Sequence, residues 1–249
     1  MSAPIHRCPA RRSGARQYGM TLVELLVAIS IAVFMLAALL TIVQNTRRAY
    51  GTQAQMSQLQ DNERLAMTLM GDVIQESGYY PNPTLYTAAG ALPVTGVFAT
   101  AGQAVFGTTA DTISVRFMTA AGDGMINCTG GTNTTAATVT YVNQFLIDAN
   151  GNLNCVLTSN GVVAAAQPLV SGITNLSILY GVKTDFSVNN GAVDSYLTAA
   201  QMTVADWSHV ISVRITLTFT NPLAGQAGQP ATIPFQRVVA VMGQTGVIT

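Results

Sequence analysis

From Leu25 to Thr46 the chain carries no charge, proline or glycine, and one carboxylate, Glu24, stands at the head of this apolar run. At ~1.5 Å rise per residue, a helix of this length crosses a ~30 Å hydrocarbon layer. The segment is a competent membrane helix. An isolated Glu in hydrocarbon costs roughly 2.5–3.5 kcal/mol or more, so the placement calls for a partner.

The flanks set its orientation and fate. Residues 1–19 carry Arg7, Arg11, Arg12 and Arg16 with no Asp or Glu, whereas the far side offers only Arg47 and Arg48. The positive-inside rule puts the N-terminus in the cytoplasm and the remainder outside. A secretory signal needs a small-x-small site after its apolar region, and Gln44-Asn45-Thr46-Arg47 supplies none. The apolar segment is therefore expected to stay attached.

Beyond the membrane the helical spacing persists through Met56, Leu59, Glu63, Ala66, Met70, Val73 and Ser77. Gly51 and Gly71 weaken it locally, each by up to ~1 kcal/mol relative to Ala. Ser77-Gly78 with Pro81 and Pro83 is a strong stop, so the helix should end near residue 78. From Met20 to Ser77 it would span roughly 85 Å, a stalk for the remainder of the chain.

After residue 80 the composition turns to Gly, Thr, Asn, Ala and Val. Strands are expected at 94–100, 112–118, 138–147, 153–158, 173–182, 210–220 and 232–241, from β-branched enrichment and partial alternation. Asp148-Ala149-Asn150-Gly151 is a turn that joins the third and fourth as a hairpin. The reading is α+β: a long helix packed on an antiparallel β-sheet head. Its segments are 1–19, a removable leader; 20–43, the membrane helix; 44–78, its amphipathic continuation; and 79–249, the β-rich head.

Of three cysteines, Cys8 lies in the leader, and Cys128 and Cys155 face the oxidising side. A disulfide between these two is expected, worth ~3.5 kcal/mol by loop closure; separate thiols are the alternative. The loop after residue 183 offers Asp185, Asn189, Asn190 and Asp194 as oxygen ligands for calcium. Phe186 and Val188 interrupt the alternation a calcium loop needs, and Asn189-Asn190-Gly191 serves as a plain turn. His209 reads as a strand-edge residue. No metal or cofactor is expected.

The chain shows no glycine-rich phosphate loop, nucleophile elbow or zinc-binding helix motif, so catalysis is not expected. Without the four leader arginines, 7 basic residues face 11 acidic ones, a net charge of about −4. That balance gives no general attraction for nucleic acid, and Arg116, Lys183, Arg214 and Arg237 are dispersed in sequence.

The stretch Gly19-Met20-Thr21-Leu22-Val23-Glu24, behind a basic leader, resembles the type III signal of prepilins. The resemblance implies cleavage after Gly19 by a prepilin peptidase, methylation of the new Met20 amine, and packing of the helix into a pilus or pseudopilus. Many major pilins have Phe where this chain has Met20, and shorter leaders. Four residues of helix separate Met20 from Glu24 by about 6 Å, so in a staggered bundle one subunit's amine meets a neighbour's Glu24. Pairing offsets the burial of both ions and sets register. The alternative is a Glu that snorkels or stays protonated.

Three further blocks are similar to the PilW family of minor pilins: Gln60-Asp61-Asn62-Glu63-Arg64 with Asp72 to Tyr79; Ile173 to Val182 with Asp194; and Val210 to Ile215. The resemblance implies a role in priming pilus assembly at or near the tip, supporting twitching motility, adhesion or DNA uptake. Its implied partners are other minor pilins, the major pilin, the peptidase and the inner-membrane assembly platform. Two alternatives stand beside it: a minor pseudopilin of a type II secretion system, and a membrane-tethered β-domain that binds a ligand.

Overall fold

Helix α1, Leu22–Gln75, runs through both compact units of the computed structural model, one ending at Gly51 and the other beginning at Thr52. The structure describes residues 19–185 and 191–245. In the first unit every described side chain is exposed, including Leu22, Phe34 and Leu40. Three hydroxyls in this stretch bond back along the helix, Ser30 to the Leu26 carbonyl, Thr41 to Ala37 and Thr46 to Ile42, at 2.8–2.9 Å. Their polar groups are satisfied inside the helix, as a hydrocarbon environment requires. Among the described residues, α1 is the helix whose length and composition suit a membrane span.

The second unit has its own core. Leu59, Ala66, Met67, Met70, Val73 and Ile74 of α1 are buried in it, which is the stripe the three-and-four spacing predicts, with Met67 and Ile74 added. Helix α2 is the single turn Ala88–Ala91, and the strands after it are β1 Val105–Phe106, β2 Thr112–Thr119, β3 Val139–Ile147, β4 Leu153–Ser159, β5 Val162–Val163 and β6 Gln167–Val170. They form one antiparallel sheet in the order β1-β2-β3-β4-β5, with β6 pairing β4. Strands β7 Ile173–Val182, β8 Ser195–Leu197, β9 Val210–Thr220 and β10 Thr232–Ala240 form a second, ordered β10-β9-β7-β8. A last turn, α3, covers Met242–Thr245.

The two sheets share one core. Their inner faces follow from strand alternation: Ile113, Val115 and Phe117 on β2, Tyr141 and Phe145 on β3, Ile178 and Tyr180 on β7, Val213, Ile215 and Leu217 on β9. At the junction Trp207 packs against Phe106 and Tyr180, with ring centroids 4.9 and 4.7 Å apart. Burial pushes the Tyr180 hydroxyl well above its ordinary value. The β3–β4 hairpin forms as expected, and Asp148 organises its turn by accepting N–H bonds from Asn150 and Asn152.

The strand expected at 94–100 is absent; the segment makes only a Thr95–Phe98 bridge. Its neighbourhood is organised by Arg116, which takes the carbonyls of Leu92, Pro93 and Thr100 for its guanidinium. Those carbonyls serve a buried cation rather than a ladder. Short strands β1, β5, β6 and β8 were not legible because two to four residues carry no measurable alternation.

Helix α1 ends at Gln75, and Gly78 adopts the left-handed φ of 81° that closes a helix C-terminus. Gly78 N–H then donates to the Arg116 carbonyl at 2.9 Å, and Met118 N–H to Tyr79, so the chain leaves the helix directly along β2. Gly71 has a different reason to be glycine. A Cβ there would lie 2.9 Å from the Arg237 guanidinium, which donates from β10 to the Met67 carbonyl at 2.9 Å. The residue that weakens the helix in isolation lets the second sheet reach the helix backbone.

Candidate processing and assembly site

Gly19 and Met20 are exposed and precede the first helical residue, Leu22. Thr21 takes the N-cap position of α1: its Oγ1 accepts the Glu24 N–H at 3.3 Å, and Glu24 Oε2 accepts the Thr21 N–H at 3.2 Å and Thr21 hydroxyl at 3.1 Å. This is a reciprocal capping box, which satisfies two otherwise orphaned N–H groups at the helix start. Its Thr-x-x-Glu pattern stands in the sequence in front of an apolar run, but the intermolecular reading of Glu24 passed over it.

The box gives Glu24 a partner within its own chain. Both bonds fall on Oε2, and no described residue donates to Oε1. One carboxylate oxygen thus holds the helix start while the other stays open to a cation from outside. The leader arginines, His6 and Cys8 lie outside the described residues.

Cys128 and Cys155 form a disulfide with Cα atoms 5.9 Å apart, and both are fully buried. It ties the loop before β3 to β4. Asn143, buried between them in sequence on β3, accepts the Cys128 N–H at 2.8 Å. The bridge belongs to the core.

At the loop weighed for calcium, Asn189 and Asn190 lie outside the described residues. Asp194 Oδ2 accepts the N–H groups of Thr184 and Asp185, each at 2.7 Å, which holds its carboxyl below the ordinary value. No group of three or more metal-ligating side chains converges among the described residues. The four head cations have internal uses: Arg116 and Lys183 are buried, Arg237 reaches Met67, and Arg214 stacks on Tyr196 with 4.6 Å to the ring centroid. His209 closes a 3-10 turn, Asp206–His209, just before β9.

One acidic site went unread in the sequence. Glu76, just ahead of the Gly78 stop, is half-buried, with Oε2 enclosed and without a hydrogen bond among the described residues. Desolvation raises its carboxyl to about 7, against an opposing hydrogen bond from Ile126, with Asp72 and Asp123 adding repulsion. Only the folded chain brings Asp123 to the helix.

Neither a curated protein nor a solved structure matches the chain. Two family models do. Residues 14–40 match the prokaryotic N-terminal methylation motif, which covers Gly19-Met20, the capping box and most of the exposed helix. Residues 134–241 match the type IV pilus-assembly protein W family, from β3 through β10, including the blocks at 173–182 and 210–215. The helix block at 60–79 lies outside that match. A methylation signal heading an apolar helix, joined to a PilW head in a single chain, makes this protein a PilW-type type IV prepilin, a minor pilin.

Proposed function

We propose that the chain acts in priming pilus assembly and is incorporated at or near the pilus tip, in support of twitching motility, adhesion or DNA uptake. The observation that carries the reading is Glu24: one carboxylate at the start of the exposed apolar part of α1, with no described residue donating to its Oε1. The prepilin peptidase removes residues 1–19, and the methylated Met20 amine stays cationic near neutral pH. That amine pairs with Glu24 of a neighbouring subunit as the exposed helices pack, and the pair sets the stagger. The partners are other minor pilins, the major pilin and the inner-membrane assembly platform. The apolar helix and the methylation motif fit an inner-membrane anchor, with the head on the periplasmic side until the filament forms. The proposed segment limits are those of the sequence: leader 1–19, membrane helix 20–43, continuation 44–78 and head 79–249.

Separating the two uses of Glu24 tests the reading. Thr21→Val removes the capping hydroxyl and keeps the carboxylate; Glu24→Gln keeps a side chain that can cap but loses the charge. If intermolecular pairing is the function, Thr21→Val incorporates into surface pili and Glu24→Gln does not. Equal incorporation of both variants refutes the pairing. Deleting the gene should abolish or reduce surface pili; loss of exoprotein secretion with pili intact would assign the chain to a secretion pseudopilus.

A further inference from the structure

Three segments meet where α1 ends: its last turn, the loop before β3, and α3. Between them lies a pocket of about 460 Å³, lined by Asp72, Glu76 and Tyr79 around the helix end, Met125 from the loop, and Met242 and Gly243 from α3.

One wall of this pocket is fixed. Gly243 N–H donates to the Ser77 carbonyl at 3.3 Å, and a Cβ on Gly243 would lie 2.5–2.7 Å from the Gly78 backbone. Backbone packed this closely has no slack, and Gln244 Nε2 ties the same turn to the Gly102 carbonyl at 3.3 Å.

The opposite wall is built to move. From Gly122 to Ile126 the loop is exposed or half-buried, and Gly122 and Gly124 take left-handed φ of 72° and 81° with open space where a Cβ would stand. Asp123 shapes the turn by accepting the Ala120 N–H at 2.7 Å, the Thr119 hydroxyl at 2.6 Å and the Met125 N–H at 3.1 Å. Those bonds stay within 119–125, so they hold whether or not the turn touches the helix. Beyond it the chain is anchored again, by the Asn127 N–H on the Gly131 carbonyl and by the disulfide at Cys128. The segment is a short flap between two fixed ends. Its polar tie to α1 is the Ile126 N–H, donated to the Glu76 carboxyl.

That tie depends on a proton. Glu76 Oε2 is enclosed without a hydrogen bond among the described residues. The charges that face it are Asp72 on its own helix and Asp123 from the flap, both of its own sign. From the remaining neighbours, Tyr79 is uncharged, Met242–Thr245 of α3 carry no charge, and Arg116 on the adjoining β2 turns its guanidinium to the Leu92, Pro93 and Thr100 carbonyls. In the closed form the carboxyl titrates at about 7, chiefly through burial; water restores the ordinary 4.5 once the flap lifts. The closed form is therefore favoured in full below about 4.5, and that advantage is lost as pH rises, completely above about 7.

We propose that Gly122–Ile126 is a pH-operated flap, closed on the end of the stalk helix while Glu76 is protonated and lifted into solvent when Glu76 ionises. The open form presents Asp72, Glu76 and Asp123 together as an anionic surface. The device works within one head, independently of filament assembly.

Amide exchange on the full chain in detergent, corrected for the intrinsic effect of pH, reads the flap at Ile126 and the global fold at Ile215, fully buried on β9. Between about pH 5.5 and about pH 8, protection at Ile126 should fall roughly tenfold in the wild type, the linkage of such a shift discounted for half-burial, and stay level in Glu76→Gln. Ile126 should be less protected than Ile215 throughout, the mark of opening without unfolding. A level profile in the wild type, the same fall in Glu76→Gln, or protection at Ile126 equal to that at Ile215 would each overturn the proposal.

Discussion

Replacing Glu76 by Gln should stabilise the protein at neutral pH and remove part of its pH dependence. The folded carboxyl titrates at about 7 and the ordinary value is 4.5, chiefly because burial disfavours the charge. Below about pH 4.5 the group is protonated both folded and unfolded and costs nothing. Between the two values the unfolded chain ionises and the folded chain resists. Stability is therefore lost as pH rises through about 7, the reverse of a salt-bridged carboxylate. A shift of this size corresponds to roughly 3 kcal/mol at full burial. Glu76 is only half-buried, and solvent screening brings the expected penalty to about 1–2 kcal/mol. Urea unfolding can be followed by Trp207, the chain's one tryptophan, which sits between Phe106 and Tyr180. The quantity to compare is the difference between wild type and Glu76→Gln, because Asp148, Asp194 and Asp206, all with lowered values, add their own slope at acid pH. That difference should be near zero at about pH 4 and reach its full value above about pH 7. A difference constant across this range would refute the titration argument.

Cys128→Ser with Cys155→Ser should lower unfolding stability by ~3.5 kcal/mol, read from the urea midpoint of the oxidised protein against the double variant. Arg237→Ala should cost up to about 1 kcal/mol through the lost bond to Met67, and Gly71→Ala should become more favourable in that background than in the wild type, a coupling a double-mutant cycle measures. Mass spectrometry of the mature product should find a methylated N-terminus at Met20; a product that retains residues 1–19, or begins beyond residue 44, contradicts the processing. Thr21→Ala should loosen the first turn of α1 by about 1 kcal/mol without preventing cleavage, checked by the size of the mature band and by amide exchange at Leu22 to Glu24.

The elements read most fully from the sequence are those whose pattern is local and long. Strands β7 and β9 begin and end where their alternation does, at 173–182 and 210–220, because each buries one face against the core along ten or more residues. The 94–100 segment has comparable β-branched content and does not pair, since Arg116 claims carbonyls around it from a strand farther along the chain. The capping box of Glu24 with Thr21 was legible from the Thr-x-x-Glu spacing ahead of the apolar run. Glu76 was not. Its neighbour Asp72 is one turn away, but its burial and its proximity to Asp123 arise only when the loop before β3 closes over the end of the helix.

By itself, the sequence determined the basic N-terminal stretch, the methylation motif around Gly19-Met20, the apolar helix with its single acid, and the β-rich character of the head. These depend on charge order and hydrophobic periodicity within short windows, which act whether or not the chain has folded. Tertiary structure alone decided that Gly71 makes room for Arg237, that Arg116 is buried among carbonyls without a carboxylate, and that Asp123 is brought to Glu76. Each of these joins residues far apart in the chain, and a buried charge has a fixed cost only once the surrounding chain has excluded the water.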